Sequence, residues 1–419
     1  MSAIWGIAAQ HIDESLRAVF DRMAAIMSYS ETSSVNALIT DQIALGHSTI
    51  GIIHKKGFPL RCDDGSSIAI CGLPIWESGY PEINTVDSSG DDRQHDTKLL
   101  QYALNEDRLS DLGGVYASAK WNSHSKKLTL GTDRLGFKGL YYYYDENSNV
   151  LYFASRLRGL TQSVPSIDDI DCDAVKEFLD FGHSLGDKTF YSKIKLVPPG
   201  NLLEYDSSGI RLKEYWNIGN ICIDHSMSYQ DAVECNAAAL KKAMARRICR
   251  CKSLDTTLLL SGGADSRRIA GELSCQGAEF KSYTTRGFTE KDSEAAIAAA
   301  VADTLKVENN FIELPIKGFV SEFWSRANNI TDYECCLHQW LLPLADKLPG
   351  KSGVNYDGIA GDILIEGVFR ASGFADKQAF NKINNQNVTV KAEKIIGKEV
   401  PLSFLKPPTQ NLWVGNDKN

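Results

Sequence analysis

The sequence predicts two domains of different class: an α+β layered domain over residues 1–210, then an α/β domain on a parallel sheet over 211–419. Three observations predict this. At 419 residues the chain is longer than one ordinary domain. Its first two hundred residues read as short aromatic and β-branched strands punctuated by turns. Beyond about residue 225, strands alternate with helices at a spacing that implies βαβ units.

In the first domain the strands are expected at 43–47, 67–72, 127–133, 139–144 and 150–154, with turns such as Asp145-Glu146-Asn147-Ser148-Asn149 between them. Helices are expected near 13–29 and 95–109, and the mixture of hairpins and helices gives an α+β layered domain. The run Tyr141–Tyr144 reads as a strand buried on both faces. The segment near 205–225 is the expected boundary. After it come a helix over 228–251, capped by Ser226 or Ser228, and a short apolar strand at 256–260. A Gly-rich turn leads to a helix over 266–276, then a strand at 280–285, a helix over 293–305 and a strand near 311–314. That alternation predicts a parallel sheet with helices on its faces. No internal repeat, heptad array or low-complexity tract interrupts the order.

Composition removes several classes. Hydrophobic residues make up 43% and charged residues 23%, near globular averages, so disorder is not expected. The net charge of −8 gives no support for nucleic-acid binding. No run approaches eighteen apolar residues, so no membrane partner is expected. The start, Met-Ser-Ala-Ile-Trp-Gly, lacks a basic n-region, and a cytoplasmic location with the ten cysteines reduced is the expectation. Neither Cys249-Arg250-Cys251 nor Cys335-Cys336 has the spacing of a zinc site.

The chemistry concentrates at one strand-to-helix turn. Residues 256–260 run straight into Ser261-Gly262-Gly263-Ala264-Asp265-Ser266. Two glycines allow a tight turn and close approach to a ligand. The next helix points its free N–H groups and positive dipole end into the turn, where a phosphate is stabilised. Ser261 and Ser266 offer hydroxyl donors, while Asp265 suits a Mg²⁺ that bridges to phosphate. The string is neither a Walker A loop nor a GxGxxG fingerprint. A second stretch, Val354 to Asp362, again reads as strand, Gly-rich loop and acid. In open α/β sheets the strand carboxyl ends meet at the ligand crevice, so Asp265 and Asp362 are expected to share the Mg²⁺.

These motifs carry a resemblance. Ser261-Gly262-Gly263-Ala264-Asp265-Ser266 is similar to the pyrophosphate loop of the asparagine synthetase family, and Asp357-Gly358-Ile359-Ala360-Gly361-Asp362 to its second acidic loop. Asp133-Arg134-Leu135-Gly136-Phe137-Lys138-Gly139-Leu140-Tyr141-Tyr142, then 151–160, and Val197-Pro198-Pro199-Gly200 with Tyr215-Trp216, resemble front-half segments in the family's order. The resemblance covers about residues 1–370. It implies a glutamine amidotransferase-like αββα sandwich of the Ntn-hydrolase type, joined to an adenine-nucleotide α-hydrolase-like synthetase domain. It further implies that ATP and Mg²⁺ are used to turn a carboxylate into an acyl-adenylate, which an amine then attacks. Leu260, Ser261, Gly262, Gly263, Asp265 and Ser266 would contact ATP, Thr285 would lie by the adenine, and Gly358 and Asp362 would complete the site. A small-molecule or peptide carboxylate is the implied substrate, and a homodimer is compatible with the family.

The pattern breaks in two places. The family's glutaminase uses a cysteine exposed by removal of Met1, and here Ser2 stands there. Its glutamine-holding segments have no clear counterpart: Cys71-Gly72-Leu73 falls where one would lie, and Asp96 aligns with the acid for the substrate's amino group. A degenerate glutaminase is therefore expected. Only 57 residues follow Asp362 (419 minus 362), and no lysine among 377, 382, 391, 394, 398 and 406 sits in a segment like the family's catalytic one. Asparagine-type synthesis from aspartate and ammonia leads. Closure of a β-lactam or macrolactam on an internal amine, and a non-catalytic truncated homologue, are the alternatives. His338 and Trp340 read as core residues, and Arg286 as a candidate ATP or substrate contact.

Overall fold

The computed structural model describes residues 2–28, 33–54, 57–78, 92–165, 167, 169–222, 224–252, 254–286, 293–313, 319–332, 341–348 and 353–358. The chain divides into two compact units. The first is Met1–Asp171 with Gly186–Lys252, and the second is Cys172–Leu185 with Ser253–Asn419.

The first unit is built from β1 (Ser2–Ala8), α1 (Glu14–Met27), β2 (Ser34–Ile39), β3 (Ile43–Thr49), β4 (Leu60–Arg61), β5 (Ser66–Trp76) and α2 (Asp92–Asn105). It continues through β6 (Leu112–Asn122), β7 (Lys127–Thr132), β8 (Tyr141–Asp145), β9 (Val150–Ala154) and α3 (Arg158–Thr161). The helix α4 (Cys172–Phe181) counts with the second unit, after which β10 (Lys195–Leu196), β11 (Asn201–Asp206), β12 (Gly209–Glu214) and α5 (Tyr229–Arg250) complete the first. Two antiparallel six-stranded sheets result, in the orders β10-β8-β9-β1-β3-β2 and β12-β11-β7-β6-β5-β4.

The pleat of β1 shows how they stack. Ile4 and Ala8 point into one core with Ile68 and Ile70 of β5 and Leu99 and Leu100 of α2. Ala3, Trp5 and Ile7 point the other way, onto Val19, Phe20, Met23 and Met27 of α1. The layers are thus α1, sheet, sheet and α2. The tyrosine run of β8 obeys the same alternation: Tyr141 joins the α1 core and Tyr142 the intersheet core, while Tyr143 and Tyr144 are half-buried.

Local chemistry sets several of these elements. Asp13 caps α1 by accepting from the Leu16 N–H at 2.8 Å. The helix expected over 95–109 ends at Asn105, because Asp107 turns left-handed at φ 51°. Asp133 organises the loop that follows β7. Its carboxylate accepts from the N–H groups of Leu135 and Phe137 at 3.1 Å, of Lys138 at 3.0 Å and of Tyr116 at 3.3 Å. The division drawn at 210/211 falls inside β12, whose whole length is paired with β11. The chain stays with the first unit to Lys252 because Arg246 and Arg250 of α5 bond to Glu77, Asp92 and Asp96.

The second unit holds β13 (Asp255–Leu259), α6 (Ala264–Cys275), β14 (Lys281–Arg286), α7 (Ser293–Leu305), β15 (Asn309–Glu313), α8 (Phe319–Thr331), α9 (Leu341–Lys347) and β16 (Gly353–Tyr356). All four strands are parallel, in the order β15-β14-β13-β16. The central β13 therefore places its carboxyl end between those of β14 and β16. No helix among the described residues is long and apolar enough to cross a membrane. Asp362, Gly361, His338, Trp340 and the six lysines from 377 onward lie outside the described residues.

Candidate functional site

At the carboxyl end of β13 the backbone is held on both sides before it turns. The Leu260 N–H donates to the Tyr283 carbonyl at 2.9 Å, and the Thr284 hydroxyl donates to the Leu260 carbonyl at 2.8 Å. Gly263 is the N-cap of α6 and offers no capping side chain, so the first-turn N–H groups are left to an external acceptor. Asp265 stands in that first turn, with its carboxylate 3.3 Å from the Arg268 guanidinium.

The two serines differ from the sequence expectation. Ser266 is buried, and its Oγ accepts from the Ser261 N–H at 3.1 Å while lying 3.0 Å from the Ser261 carbonyl. It is spent on holding the turn closed. The Ser261 hydroxyl accepts from the Gly263 N–H at 3.2 Å and remains at the surface of the loop.

The glycines also act otherwise than expected. Neither Gly262 nor Gly263 has a positive φ. Gly262 is required by proximity: a Cβ there would lie 2.8 Å from Cα of Glu294 and 3.0 Å from its carbonyl oxygen. Gly358 is required in the same way, since its Cβ would lie 2.7 Å from the Ser266 nitrogen and 3.0 Å from Cβ of Asp265. The second loop is therefore seated on the first turn of α6, which brings Asp357 and Gly358 together with Asp265.

Between these segments is a cavity of about 340 Å³, a size that accommodates a small ligand. Leu260, Ser261, Gly263, Asp265 and Ser266 line it from the β13–α6 turn, Tyr283, Thr284 and Thr285 from β14, and Asp357 and Gly358 from the second loop. Leu259, Leu344 and Glu294 complete it. Gly262 is not among the lining residues and instead meets the backbone of Glu294. Glu294 and Tyr283 escaped the sequence reading. Glu294 reads as an ordinary first-turn helix acid, and the signal that finds it is its place just past the carboxyl end of β14. Arg286 does not line the cavity: its guanidinium lies over the Phe311 ring, 3.4 Å from the centroid.

In the first unit, Ser2 starts β1, and its Oγ accepts from the Gly72 N–H at 3.1 Å. Asp96 is fully buried, and each of its carboxylate oxygens is engaged by the chain itself. His54 Nε2 lies 2.8 Å from one oxygen, and Arg250 donates to the other at 2.9 Å while also reaching Asp92 at 2.7 Å. Nearby His47 is buried, and burial with the charge of His54 pushes its pKa down to about 3.

The profile described as "Glutamine amidotransferase domain" matches residues 1–216. Among curated proteins, asparagine synthetase (glutamine-hydrolyzing) 3 of Bacillus subtilis is 27% identical over 259 residues, 59% of this chain and 41% of that protein. Asparagine synthetase (glutamine-hydrolyzing) 2 of the same organism is 21% identical over 318 residues, 71% of this chain and again 41% of that protein. The chain thus spans about two-fifths of the length of these relatives. Among solved structures, glutamine phosphoribosylpyrophosphate amidotransferase of B. subtilis aligns with 74% of this chain and 90% of its own, at 12% identity and a TM-score of 0.33.

Proposed function

The chain belongs to the glutamine amidotransferase domain family and, with its relatives, to the asparagine synthetase family, and from that premise we propose that it is an ATP-dependent carbon–nitrogen ligase. In this reading the second unit, an adenine-nucleotide α-hydrolase-like synthetase domain, adenylates a small-molecule or peptide carboxylate and releases pyrophosphate. The observation that carries the reading is the uncapped start of α6, opening into a cavity beside Asp265 and closed over by Gly358.

The residues present suit Mg²⁺–ATP. The free N–H groups of α6 and the Ser261 hydroxyl face where pyrophosphate would lie. Asp265 would hold the Mg²⁺ with Asp362, and the cation supplies neutralisation of the charge that builds on departing pyrophosphate. Leu260 and Thr285 would flank the adenine. Gly262, Gly263 and Ser266 act by shaping the loop.

The glutaminase half is proposed to be idle. A serine replaces the thiol nucleophile, and among the described residues the fully buried carboxylates of this unit are already engaged by groups of the chain itself. Asp96 is committed to His54 and Arg250, and Asp133 to four backbone N–H groups. The amine then comes from free ammonia or from the acyl substrate itself. A cytoplasmic location and a homodimer belong to the same proposal.

The test is ATP–pyrophosphate exchange over a panel of carboxylates, with aspartate first. Exchange that disappears in Asp265→Ala is the expected result. Nucleotide binding with no exchange for any carboxylate would overturn the ligase reading. Glutamate release from glutamine that is lost in Ser2→Ala would overturn the idle glutaminase.

A further inference from the structure

We propose that Glu294 is the residue that selects a ribonucleotide: its carboxylate accepts hydrogen bonds from the ribose hydroxyls of the ATP bound in the cavity. The inference rests on the ATP reading above and goes beyond it.

Glu294 stands in the first turn of α7 and lines the same cavity as Ser261, Gly263 and Asp265. Its backbone is fixed against the phosphate loop, since a Cβ on Gly262 would meet its Cα at 2.8 Å and its carbonyl oxygen at 3.0 Å. Among the described residues its carboxylate has no hydrogen-bond or ion-pair partner, so it is available to a ligand.

A bare carboxylate facing a triphosphate is repelled, and it is stabilised only by a cation or by uncharged donors. Asp265 and Asp357 line the same cavity, and a cation shared with them is the competing role for Glu294. The uncharged donors of ATP are the ribose hydroxyls and the base amine. Leu259, Leu260, Tyr283 and Leu344 give the cavity its apolar wall, which suits the base. Glu294 stands where the phosphate loop meets the start of α7, on the cavity lining that also holds Tyr283, Thr284 and Thr285 of β14. An acidic side chain on ribose hydroxyls is a solution that dinucleotide folds use from a different turn.

The test measures binding of ATP, 2′-deoxy-ATP and 3′-deoxy-ATP to the full chain by titration calorimetry with Mg²⁺ present. The expected result is that the protein prefers ATP over at least one deoxy form by about tenfold, the size of a hydrogen bond to a charged group. Glu294→Ala is expected to bring the ratio within about twofold of unity, and Glu294→Gln, which keeps an acceptor, to retain part of it. A ratio unchanged in Glu294→Ala overturns the proposal, as does a raised Mg²⁺ requirement with the ratio intact. Absence of ATP binding by the unaltered protein would instead overturn the nucleotide reading on which it rests.

Discussion

Replacing Gly358 by alanine adds one methyl group at the seam between the two Gly-rich loops. That Cβ would lie 2.7 Å from the Ser266 nitrogen and 3.1 Å from the Asp265 carbonyl carbon, whereas ordinary contact begins near 3.4 Å. Both obstructing atoms are backbone in the first turn of α6, so no rotamer change relieves the overlap. The loops must separate by roughly the missing 0.7 Å. Forced overpacking of this kind costs about 1–3 kcal/mol. If separating the loops costs about 2 kcal/mol and nucleotide binding needs them together, affinity falls about 30-fold. Titration with a fluorescent ATP analogue reads the affinity, and thermal unfolding of the same sample reads stability. Unchanged affinity together with an unchanged Tm would refute the close packing of the second loop on α6. A lower Tm with unchanged affinity would separate that packing from nucleotide binding.

Two further outcomes follow from the first unit. Arg250→Met leaves the buried Asp96 with His54 alone and should cost about 3–5 kcal/mol in denaturant unfolding, with Arg250→Lys recovering only part because it lacks the guanidinium fork; a loss under about 1 kcal/mol would remove the pair from the account of stability. His47, with its pKa held down near 3 against 6.5 when free, binds a proton on unfolding but not when folded. Its contribution is complete above about pH 6.5 and declines on acidification towards pH 3, by about 1.4 kcal/mol per pH unit. Between pH 7 and 5 that amounts to about 2 kcal/mol, and a His47→Gln variant with the same pH dependence as the unaltered protein would contradict it.

How much of this was legible beforehand depends on the physical signal. The turn from β13 into α6 was plain because an apolar strand, two glycines and an acid fall in one continuous string. The role of the glycines was not, because close approach by Glu294 and by Ser266 involves residues distant in the chain. Ser266 looked like a phosphate donor, yet its hydroxyl is consumed by the backbone of its own turn, which only the folded loop reveals. β6 escaped notice because Gly113, Gly114, Ala117, Ser118 and Ala119 blur the alternation, although β5 and β7 enclose it on both edges. The expected boundary segment, 205–225, begins with the β11–β12 hairpin, and the first compact unit runs on through α5 to Lys252 because long-range hydrogen bonds from Arg246 and Arg250 leave no local signal.

The affiliation of α4 has a practical meaning for dissection. The chain leaves the first unit at Asp171, contributes fourteen residues, Cys172–Leu185, to the second, and resumes the first at Gly186. Neither unit is a single uninterrupted stretch of sequence. A cut at 252/253 would therefore separate Cys172–Leu185 from the later residues that group with it. Separation of the halves for biochemical study is better attempted by grafting residues 172–185 onto the later fragment through a short flexible connector.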